Sequence, residues 1–135
     1  MSDKSERVRR LNRILKVQAQ KRLLEEWRIG QMREERDALD RSDAELIASL
    51  GETSKLQGLF MDTKVRTLRR NDLERRAIHE RKVAAEDRLL AVRRVEKGVE
   101  KVRDKAKLTA KAEGEAKDLD SSIESFLARN GSSFE

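Results

Sequence analysis

None of the 135 residues is proline. Proline inside a helix removes a backbone hydrogen bond and costs about 3 kcal/mol, so a chain without one can run in long uninterrupted helices. The rest of the composition narrows that freedom. Charged side chains make up 43% of the chain and aromatic ones 3%, with Trp27, Phe60, Phe126 and Phe134 the only rings. That is too polar to enclose a thick globular core. Helices rich in Ala, Glu, Lys, Leu and Arg that bury a narrow apolar stripe are expected, in the form of an elongated coiled coil.

The punctuation is sparse. Asp3 with Glu6 three residues later reads as a capping box, which starts the first helix near residue 4. Apolar residues then recur at Val8, Leu11, Leu15, Ala19, Leu23 and Trp27, and again at Ile29, Met32, Leu39, Leu46 and Leu50. Steps of three and four put them on one stripe. From 29 to 50 the stripe is a heptad interrupted by Arg36 and Asp43. Before it, repeated four-residue steps drift around the helix, and Gln18, Arg22 and Glu25 would occupy a strict heptad seam.

Leu50-Gly51 reads as a helix stop closed by a left-handed glycine, and Ser54 with Gln57 as a second capping box. A turn at about 51–54 places the flanking helices side by side and antiparallel. The expected fold is therefore all-α: one antiparallel two-helix coiled-coil hairpin over residues 1–135, with helix 1 about 4–50 and a longer helix 2 about 55–128. Gly98 and Gly114 weaken the second helix, Ser121 with Glu124 offers it a restart, Asn130-Gly131 a stop, and 131–135 a frayed tail. Folded back from residue 52, the first arm is used up where the second reaches about 99. The stripe from Val102 through Ala106, Ala116, Leu119, Ile123, Phe126 and Leu127 is then expected to overhang and to dock on a partner or a second copy.

The sequence offers little for catalysis. With no cysteine there are no disulfides and no thiolate ligands. His79 is the only histidine, and His79-Glu80-Arg81-Lys82-Val83 lacks the second ligand of a zinc-protease motif. Gly51-Glu-Thr-Ser-Lys55 lacks the second glycine of a phosphate loop, and the carboxylate pairs Glu25-Glu26 and Glu34-Glu35 sit on a slender surface without a cavity. No catalytic residue, metal or cofactor is expected. Asn130-Gly131-Ser132 matches the glycosylation pattern only formally. The formal charge is +6 from 32 basic and 26 acidic residues. The basic clusters Arg7, Arg9, Arg10, Arg13 and Arg69, Arg70, Arg75, Arg76, Arg81, Lys82 are interleaved with acids in the second arm, so a solvated, ion-paired face is expected ahead of a nucleic-acid site. No run approaches a membrane span, and the polar N-terminus has no secretory features, so a cytoplasmic location is expected.

The Leu-rich helix Val8-Arg-Arg-Leu-Asn-Arg-Ile-Leu15, the central turn and the long second helix containing Glu80-Arg-Lys-Val-Ala-Ala-Glu-Asp-Arg-Leu-Leu-Ala-Val-Arg-Arg-Val-Glu-Lys-Gly-Val-Glu-Lys-Val102 together resemble the flagellar export protein FliJ and its injectisome counterparts. The resemblance covers most of the chain. It implies a coiled coil similar to the gamma-subunit stalk of rotary ATP synthases, a non-enzymatic component of type III export. As partners it implies a hexameric export ATPase, a membrane export gate and export chaperones, at a site peripheral to the inner membrane. It also implies a gate-contacting surface at the hairpin tip, where Leu46, Ile47, Leu50, Leu56, Leu59, Phe60 and Leu68 crowd together. The family's tip tyrosines have no counterpart in this chain. The alternative is a generic coiled-coil scaffold that dimerises or binds nucleic acid through its basic faces.

Overall fold

The computed structural model describes residues 3–51 and 55–133. Over them the chain is all-α, with α1 at Asp3–Leu50 and α2 at Lys55–Ser133. The two helices run antiparallel as a coiled-coil hairpin, and α2 is the longer, 79 residues against 48. Asp3 and Glu6 lie in the first turn of α1, where carboxylates complement the positive end of the helix dipole.

The ends differ from those expected. No described glycine takes a positive φ, so α1 does not close through a left-handed Gly51. Its last turn tightens instead, with the Gly51 N–H donating to the Ala48 carbonyl at 3.3 Å, a bond one residue shorter than the helical one. Residues 52–54, which hold the rest of the expected turn and Ser54 of its capping box, lie outside the described residues, as does the Gln57 side chain. Helix α2 runs without a break through Gly98, Gly114, Ser121 and Asn130-Gly131 to Ser133. The penalties there are about 1 kcal/mol or less per residue, too small to stop a helix that gains a hydrogen bond with every residue it adds. The helix thus passes the stop expected at 130–131. Phe134 and Glu135 lie outside the described residues.

Contacts divide the chain into two compact units, Gln20–Arg93 and Met1–Ala19 with Arg94–Glu135. Within Gln20–Arg93, Asp43 faces Asn71, Glu35 faces Arg81 and Glu25 faces Arg88. Going from the first pair to the last, α1 retreats 18 residues (43 to 25) while α2 advances 17 (71 to 88). That matched, opposite progress is the antiparallel ladder. The apolar centre is Ile29, Ala85 and Leu89, with Met32 packed against them. It is one layer thick, and among the described residues Ala85 alone is wholly enclosed.

In the unit formed by Met1–Ala19 and Arg94–Glu135, the same antiparallel sense is carried by Arg103 donating to Asn12 Oδ1 at 3.5 Å and by Lys4 paired with Glu113 at 3.8 Å. Ala106 is its buried residue, beside half-buried Val8, Leu11, Leu15, Val99 and Ala110.

The inward residues obey a strict heptad. On α1 they are Val8, Leu11, Leu15 and Gln18 in the one unit, and Arg22, Glu25, Ile29, Met32, Leu39, Asp43, Leu46 and Leu50 in the other. The four-residue stripe expected through Leu23 and Trp27 does not form, and both side chains face solvent. Two helices that wind around each other stay in contact only along a 3.5-residue period, so a 4-4-4 run leaves the seam however apolar it is. Gln18, Arg22 and Glu25 take the inward places.

Replacing Ile29 with Ala should lower the free energy of unfolding by about 2–3 kcal/mol. Replacing Trp27 with Ala should change it by less than about 0.5 kcal/mol, as for an exposed position away from any cap or charge network. Urea titration followed by circular dichroism at 222 nm measures both. A larger loss at Trp27 than at Ile29 contradicts the heptad seam.

Candidate functional site

The chain's most specific side-chain chemistry is a polar layer set into the seam of the Gln20–Arg93 unit. Asp43 and Asn71 stand at heptad positions where apolar residues would ordinarily pack, and Asn71 is buried. Asn71 Nδ2 donates to Asp43 Oδ1 at 2.9 Å and to Ser42 Oγ at 3.4 Å. The Arg75 guanidinium closes the group on Asp43 Oδ2, reaches Asp40 Oδ1 at 3.0 Å, and touches Asp72 one turn back at 3.4 Å. The hydrogen bond from Asn71, and next those from Arg75, hold the Asp43 carboxyl below its ordinary pKa, and Asp43 in turn raises that of Arg75.

A second layer surrounds buried Glu25. Its Oε1 accepts from Arg28 at 2.9 Å and from Arg88 at 3.2 Å, while Oε2 has no hydrogen-bond partner. These layers are structural in their chemistry. Each anion meets guanidinium groups.

Part of the second basic cluster is ion-paired as well. Arg75 and Arg76 share Asp72, Arg81 takes Glu35 at 3.3 Å, and Lys82 takes Glu86 at 3.9 Å. The open groove lined by Met32, Arg33, Arg36, Ile78 and His79 is bordered by cations already committed to carboxylates. In the other unit Arg9, Arg10 and Arg13 line a shallow groove together with Glu6. Among the described residues no three His, Cys, Asp or Glu side chains are grouped to hold a metal ion, and no helix is long and apolar enough to cross a membrane.

The expected tip residues separate into two sets. Leu46, Leu50 and Leu68 are half-buried in the seam and serve the hairpin itself. Ile47 and Phe60 face outward, 60% and 57% exposed, and Met61, which the sequence reading omitted, joins them. The side chains of Leu56 and Leu59 lie outside the described residues.

The expected C-terminal overhang is shorter than its arithmetic predicted. Within the unit of Met1–Ala19 and Arg94–Glu135, Asn12 faces Arg103 and Lys4 faces Glu113, so α1 reaches farther along α2 than a fold at 52 would allow. Ala106 is buried and belongs to the intramolecular packing of its unit, while Val102, 41% exposed, borders an open groove with Lys4, Arg7 and Thr109. Every described side chain from Gly114 to Gly131 is exposed, including Ala116, Leu119, Ile123, Phe126 and Leu127.

The sequence reading also missed an outer face on each helix. Leu23, Leu24 and Trp27 form an exposed apolar group in the Gln20–Arg93 unit, and Leu108 is exposed in the other. Numbering a strict heptad from Ile29 and from Ala106 reveals them, since they fall at its outer positions. No protein-family model matches this chain, nor does any curated protein or solved structure.

Because the folded state depresses the pKa of Asp43, its contribution to stability is fully present above the ordinary carboxylate value and is lost as the pH falls through the depressed one. Asp43→Asn should therefore melt below the parent at pH 7, and the gap should close as the pH drops below about 4. Thermal melts at intervals between pH 7 and 2 follow it, and a gap that widens on acidification contradicts the assignment. Truncation after residue 113 should leave the melting of α1 unchanged. Truncation after residue 101 removes Arg103, Ala106 and Glu113 and should release the first two turns of α1, read as increased amide exchange over residues 3–12.

Proposed function

We propose that the protein is a non-catalytic helical stalk of the type III export apparatus, which inserts into the ring of a hexameric export ATPase and connects it to the export gate and to chaperones. The observation that carries this reading is the unequal hairpin. One helix of an antiparallel pair continues past its partner's packing as an exposed helix, so a single slender element offers separate surfaces to separate partners. The resemblance of 8–15 and 80–102 to the FliJ family supports the same reading. On it, Ile47 and Phe60 at the turn-proximal end address the gate, and Leu119, Ile123, Phe126 and Leu127 address a second partner.

A nucleic-acid role draws less support. Arg75, Arg76, Arg81 and Lys82 are each paired with a carboxylate, so phosphate contacts would have to displace those pairs. Adding the protein to a hexameric export ATPase should yield a complex on size exclusion and a change of several-fold in ATP turnover. Absence of a complex together with unchanged turnover rejects the stalk.

A further inference from the structure

The strongest unexplained surface is the outer face of the C-terminal part of α2. Along the seam of its unit the heptad runs Val99, Arg103, Ala106, Ala110, Glu113, and its continuation is Lys117, Asp120 and Glu124. The seam thus turns fully charged where α1 stops covering it. The apolar residues do not end there; they change face. Leu108, Ala112, Leu119 and Phe126 recur at steps of four and seven on the opposite side of the helix, and Ile123 flanks them. Leu108, Leu119 and Phe126 are 69%, 61% and 63% exposed. A stripe that begins at Leu108 while the seam still packs at Ala106 can be occupied without opening the hairpin.

The charge around this stripe is segregated along the chain. Lys101–Ala112 holds five basic residues and one acid, and Glu113–Glu124 holds five acids and one basic residue. Two copies laid parallel would set like against like. Laid antiparallel, each basic half meets the other copy's acidic half.

We infer that this face pairs with the same face of a second copy of the chain, antiparallel and centred on the junction at residues 113–114. In that register Leu108 of each copy packs on Leu119 of the other, Lys111 lies near the other copy's Asp118 on the same flank, and Phe126 covers the aliphatic stem of Lys101. The small side chains of Ala112 and Ala116 let the helices approach closely. The inference does not depend on the export reading.

Sedimentation of the full chain between about 1 and 300 µM tests it. A monomer–dimer equilibrium that weakens with added salt is expected, and Leu108→Ser with Leu119→Ser should weaken it at least tenfold without lowering the melting temperature of the hairpin. Reversing a basic flanking charge (Lys111→Glu) or an acidic one (Asp118→Lys) should weaken self-pairing, and mixing the two variants should restore a dimer. Orientation is read from spin labels on cysteines placed in this cysteine-free chain. Labels at Glu115 should fall within about 20 Å of each other and labels at Ser125 about 35 Å apart, from the 1.5 Å rise per residue. A chain that stays monomeric overturns the proposal and leaves the face to a different protein. So does a dimer indifferent to the serine and charge-reversal variants, or one with both label pairs close together, as in a parallel pair.

Discussion

The hydrogen-bonded layer of Asp43, Asn71 and Arg75 governs how the two long helices are aligned. A two-helix seam built from Leu, Ile, Val and Ala has almost the same appearance after a slip of seven residues, and its apolar contacts discriminate weakly between the two alignments. Shifting α2 by one heptad would carry Asn71 away from Asp43 and Ser42, and Arg75 away from Asp40 and Asp43. In the direction that sets Asn71 opposite Leu50 and Asp43 opposite Ile78, it would leave an amide and a carboxylate in an apolar layer without partners, at the usual cost of unsatisfied buried polar groups. The layer contributes less to net stability than an apolar one would and more to the uniqueness of the register.

Much of the fold was legible because its causes are local. Absence of proline, a near-continuous 3-4 spacing and the charge pattern specify helices, and Leu50-Gly51 marks where the first one ends. What resisted reading was the choice among apolar stripes. Leu23 and Trp27 look like a seam on an isolated helix, and only the partner's winding decides that Arg22 and Glu25 face inward instead. The overhang failed for a related reason. Its length depends on which residues of its own unit face each other, and the contacts that show it, Asn12 with Arg103 and Lys4 with Glu113, are polar ones that an apolar count passes over.

The surfaces available to partners arise from the same arithmetic. A helix has room for more than one apolar stripe, and a strict heptad uses only one. In this chain the residues left over, Leu23, Leu24 and Trp27 in one unit and Leu108, Leu119, Ile123 and Phe126 in the other, are exposed at outer heptad positions or beside them. The candidate site was thus partly visible in the sequence as apolar residues out of phase, although which phase was the seam required the structure.

The thinness of the seam has a dynamic consequence. No large side chain among the described residues is fully enclosed, so no single nucleus binds distant parts of the chain into one all-or-none transition. Each layer is held chiefly by the layers directly above and below it, which is the energetics of a one-dimensional lattice. Opening in such a lattice starts at its ends and advances rung by rung, with backbone protection declining from the Ile29–Ala85–Leu89 layer outward. The molecule therefore has a gradient of lifetimes along its axis, and a ligand that grips one rung lengthens the lifetimes of its neighbours first.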